Sequence, residues 1–572
     1  MHAPAYLGPL ALIFLAALGA AYVLHRLRQP PLIGFIVAGA LLGPYGLGLV
    51  REVRVVEGLA ELGVVLLLFT VGLELSIGSL RRLGKIVWIS GPIQVAGTIA
   101  LVVGVSYAAG ETLPRGLFFG YLVALSSTAI VLKLLVDRRE VDSPHGRFLV
   151  GVLLLQDLAV VPMLISLNAL SGRGGSGALS AFGALATTAV TAAALFGAAR
   201  FAFPRFIGAL AGTRQKEIFV VAVLFLVLGS AVATSWAGVS AALGAFLAGL
   251  ALSDSEYGHQ ALADIGGFRD AFSAIFFVSI GMLFDYRAIA AQPVAVAILL
   301  ALILVGKTLA GGAAVLALGY PLRVAAVVGV SLAQIGEFSF ILLRQGLADG
   351  LVAPDVYRRF LAAAIVTMLA TPFLSGASHA LGRTVAAASA RAGGPAKDPL
   401  RDHVVIVGFG HMGETVARLL NRAGVPFRVI DLDPDRVRRG RKRGVSIEYG
   451  DASNDAVLRR VGVESAVAAV VVLSDLRSTR QTVRHCRTLH PGLFILARTR
   501  YLADIPALAA AGADEVVAEE FESSLEIAGR TLSRLGLPLP WVEAETAEIR
   551  ESRQDGFRKF REPGGGVERS KP

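Results

Sequence analysis

The sequence predicts a polytopic α-helical membrane domain followed by a cytosolic α/β domain of the Rossmann type. Three observations carry this. With 572 residues, 55% of them hydrophobic and 17% charged, and a mean hydropathy of +0.65, the chain is too apolar for a soluble protein of ordinary make-up. The apolar residues up to about position 390 fall in blocks of roughly 18 to 25, the length that a bilayer demands. Beyond them the patterning becomes that of a globular domain, with a glycine-rich turn set between a strand and a helix at 408–413. The single Cys486 excludes an intramolecular disulfide and a thiol metal cluster.

The first block, within MHAPAYLGPLALIFLAALGAAYVLHRLRQP, is read as a span rather than a signal peptide. It lacks a basic leading region, its apolar run is longer than such a peptide uses, and its basic cluster comes afterwards. From there about thirteen spans are expected, centred near 16, 41, 67, 97, 126, 158, 190, 225, 246, 277, 305, 334 and 368. Alternation puts Arg26/Arg28, Arg81/Arg82/Lys85, Arg138/Arg139/Arg147 and Arg205/Arg214/Lys216 on the side of the C-terminal domain, and the positive-inside rule makes that side the cytoplasm. Arg51/Arg54 and Arg358/Arg359 fall on the other side, so the bias is incomplete.

Two spans are interrupted in the same way. Leu125–Ile130 reads LSSTAI and Leu332–Phe338 reads LAQIGEF, so that Ser126 and Gln334 stand 208 residues apart in corresponding positions. Matched interruptions point to inverted repeats, with broken helices whose half-helix ends and freed backbone groups line an ion site. Ser126, Ser127 and Thr128 in the first break and Glu337 in the second are the candidate lining residues. The bland alternative is small-residue packing between helices.

Between the breaks in sequence, GVLLLQDLAVVPML carries Gln156 and Asp157 in an aliphatic run. A carboxylate at mid-bilayer costs on the order of 3 kcal/mol on insertion scales, so its presence calls for a function. One carboxylate can hold a cation when ionised and is neutral when protonated, and competition for it gives obligatory exchange. Gln156 can add a carbonyl oxygen without charge, so one cation neutralises the site as one proton would. The expectation is one-for-one, electroneutral exchange; a hydrogen-bonding staple is the competing reading of Asp157.

The segments ALSSTAIVLKLL, LLQDLAVVPML, GVSAALGAFLAGLAL, FFVSIGMLFD and SLAQIGEFSFIL, in that order, resemble the monovalent cation:proton antiporter-2 family, and most of all its potassium-efflux, Kef-type branch. The resemblance covers essentially the whole membrane part. It implies a NhaA-like fold with a dimerisation bundle and a core of crossed, broken helices. Sodium-selective electrogenic relatives have two adjacent Asp where this chain has Gln156 and Asp157. The resemblance also places Lys307, in LVGKTLAGG, on the helix before the second break, where it either pairs with Asp157 or stabilises the crossing helices and their C-terminal ends. Glu337 either lines the ion path or compensates unpaired amides in the break. Glu74 stands near a span end, and Lys133 and Arg344 are expected to snorkel or pair locally.

After a Pro/Gly/charged linker at 384–400, HVVIVGFGHMGETVARLL reads as strand, glycine turn and amphipathic helix. Gly408, Gly410 and Gly413 form the turn, and the next strand, FRVIDLD, ends in Asp431, 18 residues beyond Gly413. This is the context of a dinucleotide fold: the glycines let backbone amides approach a phosphate at the helix N-terminus, and Asp431, with Asp433, can hold a ribose hydroxyl. Gly450 and Asp451 end a third strand near the adenine edge. The segment 401–535 resembles an RCK/KTN (TrkA-N) regulatory domain, with a charged tail at 536–572. The run Arg436–Arg443, RVRRGRKR, is a solvated helix face, a contact for anionic lipid, or a partner for an extra phosphate.

The function expected is a bacterial inner-membrane antiporter, residues 1–383, that exchanges K+ or Na+ for protons under control of an adenine nucleotide (NAD(H), AMP or ATP). A homodimer is expected, with the C-terminal domain cytoplasmic and no nucleic-acid partner, since no reader motif occurs. Two alternatives stand beside it. A ligand-gated potassium channel lacks a TVGYG filter, and a buried titratable Asp is a liability in a fast pore. A membrane-anchored NAD-dependent oxidoreductase would need a substrate domain that the short charged remainder does not supply.

Overall fold

The computed structural model describes residues 7–27, 29–50, 53–74, 84, 86–171, 178–211, 215–237, 240–390 and 400–561. The expectations placed on Arg28, Arg51, Arg81, Arg82, Lys85, Arg214, linker residues 391–399 and tail residues 562–572 lie outside them. The chain forms two compact units. One holds Met1–Leu135, Phe148–Ala317 and Ala325–His379; the other holds Val136–Arg147, Leu318–Val324 and Ala380–Pro572.

In the first unit a helix covers eleven of the thirteen predicted span centres, from Leu7–Arg26 to Pro354–Ala390, and the other two, 126 and 334, fall in breaks between paired half-helices. Among the described residues nine helices are long and apolar enough to cross a membrane by themselves. The expected thirteen exceed that number for physical reasons. The helices Pro31–Leu42 and Ala241–Ser253 are short, and the span near 334 is split in two. Pro31–Leu42 packs on Gly258–Met282, and Val53–Glu74 on Ala241–Ser253, at backbone contact. A Cβ on Gly281 would lie 2.1 Å from the Ile36 carbonyl oxygen, and one on Gly249 2.0 Å from that of Phe69. Small residues let transmembrane helices approach this closely, where association rests on packing rather than on expulsion of water. The last helix runs on to Ala390, through the start of the predicted linker.

The two interrupted spans are broken as expected. The first is Leu113–Ala124 followed by Thr128–Asp137, with Leu125 extended at φ −81°, ψ 142°. The second is Leu322–Ser331 followed by Glu337–Ala348, with Gly336 extended at φ −92°, ψ 170°. They cross at their breaks. Gly336 N donates to Leu125 O at 3.1 Å, Ser126 Oγ donates to Leu332 O at 2.9 Å, and Ser339 Oγ donates to Leu122 O at 2.7 Å. A Cβ on Gly336 would sit 2.6 Å from the Ser126 carbonyl carbon, so only glycine lets the two chains meet there. Each freed backbone group that finds a partner this way removes a penalty of several kcal/mol in a hydrocarbon surround.

The second unit is built on a six-stranded parallel sheet: β1 His403–Val407, β2 Phe427–Asp431, β3 Ile447–Tyr449, β4 Ala466–Val471, β5 Phe494–Thr499 and β6 Glu515–Ala518. Their order is β3-β2-β1-β4-β5-β6, the doubly wound arrangement whose strand order reverses beside β1 and opens a crevice at the carboxyl strand ends. Cys486 is buried in the helix-side core, and burial pushes its thiol up to about 12, so it packs as a small apolar group. The expected charged tail is instead largely helical over Leu539–Arg561. Val542 is buried, and Arg550 pairs with Glu522 at 2.9 Å on the preceding helix, Glu519–Arg534. Segments 136–147 and 318–324 join this unit. They follow the fifth and eleventh spans, both odd, so alternation puts them on the predicted side of the C-terminal domain.

Candidate functional site

At the crossing, Asp157 is 7% exposed. It lies on the helix Pro144–Leu170 and accepts the Thr128 hydroxyl on both carboxylate oxygens, at 3.0 and 3.1 Å. Among the described residues it has no ion-pair partner. Thr128 opens the second half of the first broken span, so the carboxylate faces a helix N-terminus, whose partial positive charge favours an anion. Across the crossing, Glu337 opens the second half of the other broken span and is 5% exposed. Its carboxyl approaches Ser127 and the Ala129 amide, and its Oε2 has no hydrogen-bond partner.

Gln156 does structural work in addition to any role toward a cation. Its Oε1 accepts Ser126 N at 2.7 Å, while its Nε2 donates to Gln94 Oε1 at 2.7 Å. Gln94 Nε2 in turn donates to Thr98 Oγ1 at 3.1 Å and to Ala124 O at 3.3 Å. The amide thus supplies the partner that the broken helix denies Ser126, and one lone pair of its oxygen is already in use.

Lys307, fully buried, donates from Nζ to Val123 O and to Leu125 O, both at 2.6 Å. Val123 lies in the last turn of the half-helix Leu113–Ala124 and Leu125 is its C-cap, whose carbonyl also accepts Gly336 N. Of the two roles open to Lys307, the geometry shows the capping one; its bonds do not go to Asp157. Glu74 lies 3.6 Å from Arg269, and Arg344 pairs with Glu61 at 2.5 Å.

The sequence reading did not single out Gln94, Thr98 or Thr367, whose hydroxyl accepts Ile335 N at 3.2 Å. Gln94 and Thr98, four apart in an apolar helix, were the signal for one network. Gln334, named only as an interruption, is fully buried with both amide atoms unpartnered. No group of three or more His, Cys, Asp or Glu able to hold a metal occurs among the described residues. The carboxyl groups that the crossing offers a cation are Asp157 and, from the second break, Glu337.

In the second unit a cavity of about 510 Å³ opens over the strand ends, lined by Gly408, Gly410, Asp431, Asp433, Arg436, Gly450 and Asp451, within the range of ligand sites. Gly408 adopts φ +102°. A Cβ on Gly413 would fall 1.9 Å from Gly408 O, whereas one on Gly410 would meet only the Arg436 guanidinium, at 3.5 Å. Two of the glycines are thus needed for the turn, and the third leaves room for a ligand. Asp431 accepts Phe409 N at 2.5 Å and Asp433 N at 2.7 Å. Asp433 caps the helix Pro434–Lys442 by accepting from the amides of Asp435 and Arg436. Gly450 packs against Val457 and donates its N–H to Asp431 O at 3.1 Å. The basic run is largely paired with acids, Arg438 with Asp435, Arg441 with Glu448 and Arg443 with Glu414, and Arg436 alone of these lines the cavity. Turn, cationic side chain and strand-end acids fit a nucleotide. Arg147, Tyr320 and Arg498, unmarked by any motif, also line the cavity.

Comparison with known proteins adds two family matches. Residues 11–376 match the model described as sodium/hydrogen exchanger, transmembrane, and residues 404–519 match the TrkA-N domain. The chain is similar to K(+) efflux antiporter 1, chloroplastic, of Arabidopsis thaliana, 35% identical over 532 residues that cover 91% of this chain and 44% of that protein. It therefore spans less than half the length of that relative. It is also similar to the putative cation/proton antiporter YbaL of Escherichia coli (strain K12), 33% identical over 538 residues, 90% of this chain and 96% of that protein. A third relative is the glutathione-regulated potassium-efflux system protein KefC of Cronobacter sakazakii (strain ATCC BAA-894), 33% identical over 533 residues, 93% of this chain and 84% of that protein.

Proposed function

Since this chain belongs to the sodium/hydrogen exchanger transmembrane family and carries a TrkA-N domain, we propose that it is a multi-pass antiporter exchanging potassium for protons, regulated by an adenine nucleotide. The observation that carries the exchange is Asp157: a carboxylate buried at the crossing of two broken helices, held by a threonine hydroxyl and without an ion-pair partner among the described residues. Ionised, it takes a cation together with Thr128 and the remaining lone pair of Gln156; protonated, it is neutral. Ser126 and Ser127 shape the first break, and the unpartnered oxygens of Gln334 and Glu337 are the polar atoms that the second break contributes. With Gln156 in place of a second Asp, the exchange is one-for-one and electroneutral. The chain is a transporter, not an enzyme, and works in a bacterial inner membrane with its TrkA-N domain in the cytoplasm. The test is proton movement in proteoliposomes driven by K+, Na+ or Li+ gradients, at clamped and free membrane potential. Proton flux in response to potassium, indifferent to voltage, is the expected result; a cation current without proton flux would make it a channel.

Gly408, Gly410, Gly413, Asp431, Asp433, Gly450 and Asp451 form the nucleotide cradle of this reading, with NAD(H), AMP and ATP the ligands to try. Binding shifts flux only by its difference in affinity between two states of the domain. Gly410→Asp is the informative variant, because its side chain has room to fold beside Arg436 while placing a carboxylate where phosphate would lie. Calorimetry on this variant shows at least tenfold weaker nucleotide binding, and its flux ceases to respond to nucleotide. A homodimer is part of the same proposal. A detergent-corrected mass of one chain at micromolar concentration would count against it.

A further inference from the structure

The two strand-end acids of the cavity are held in different ways. Both Asp431 oxygens accept backbone amides of the turns around them, Phe409 N and Asp433 N, and Arg436 Nη1 stands farther off, 3.6 Å from Oδ2, so a ligand adds to the amide bonds rather than replacing them. Asp451 Oδ1 accepts Ser453 N at 3.0 Å and Ser453 Oγ at 2.6 Å. Its Oδ2 accepts Arg323 Nη1 at 2.5 Å, and the same guanidinium reaches Ser453 Oγ. The Arg323 and Asp451 side chains are 17% and 18% exposed, open enough to exchange partners. Arg323 is the second residue of the helix Leu322–Ser331, which ends at the second break. Four residues earlier, Gly319 O accepts the Tyr449 hydroxyl at 2.7 Å, which ties segment 318–324 to the end of β3 independently of the ion pair.

We propose that Arg323 is a built-in competitor of the nucleotide for Asp451, and that exchange of this partner is the step by which binding alters transport. This rests on the reading of the cavity as a nucleotide site. A ribose hydroxyl or adenine amine that donates to Asp451 Oδ2 occupies the position of Arg323 Nη1, so the bound and ion-paired forms exclude one another. The Tyr449–Gly319 bond keeps the released Arg323 close by, at high effective concentration, so it returns when the ligand leaves. The consequence is reciprocal: whatever the ion pair takes from nucleotide affinity, nucleotide takes from the ion pair.

The test uses the full chain. AMP and NAD are titrated by calorimetry against the wild type, Arg323→Gln and Arg323→Lys, and potassium-driven proton flux is measured with and without the same ligands. Without its competitor, Arg323→Gln binds about tenfold more tightly, within the usual range of coupling between sites, and its flux ratio with and without ligand falls to one. Arg323→Lys, which keeps the charge but loses the fork to Asp451 and Ser453, lies between. Unchanged or weaker binding by Arg323→Gln, or a flux ratio equal to that of a responsive wild type, overturns the proposal while leaving nucleotide regulation standing. A wild type that binds neither ligand overturns both.

Discussion

Asp157→Asn is expected to reduce cation-driven proton flux to that of protein-free liposomes while leaving the fold intact. Asn keeps the shape and still accepts the Thr128 hydroxyl through Oδ1, so the bond at 3.0 Å survives in kind. What it cannot do is alternate between charged and neutral forms. Replacing the carboxylate also removes the cost of holding it in an apolar surround, about 3 kcal/mol on insertion scales. The melting temperature in detergent should therefore match or exceed that of the wild type. Flux lost together with stability would show Asp157 to be the structural staple that the sequence allowed; pH-dependent flux retained in the purified variant would show that another group carries the proton.

Lys307→Met is expected to destabilise the membrane unit by about 2 kcal/mol and to impair exchange. The variant leaves Val123 O and Leu125 O without the donor that reaches each at 2.6 Å. Leu125 O keeps Gly336 N, so the loss falls on Val123 O; an unpartnered buried carbonyl costs roughly 1–3 kcal/mol, offset in part by no longer burying an ammonium group. Loss of the cap frees the end of Leu113–Ala124 beside the crossing, so the thermal midpoint and the flux should fall together. A Lys that served instead as a third competitor for Asp157 would leave the midpoint unchanged in this variant and shift the pH profile of exchange. Measuring both separates the two.

What the sequence by itself determined follows from local pattern. Apolar block length and paired interruptions located the spans and both breaks, because hydrocarbon thickness and the need to satisfy backbone groups act on short stretches of chain. A strand, a glycine turn, a helix and a strand-end Asp at the right interval located the Rossmann cradle for the same reason. The side-chain roles within those sites were decided by tertiary structure. Gln156 looked like a cation ligand because it is Asp157's neighbour in sequence, yet its amide reaches residues 30 and 62 positions away. Lys307 left two roles open until its ammonium was placed on carbonyls 184 and 182 positions distant. Asp433, read as a second ribose acid, also caps its own helix, while Arg323, in no motif, meets Asp451 across 128 positions. A buried polar group must find a partner wherever the fold places one, and no window of sequence contains the chain that will arrive from elsewhere to supply it.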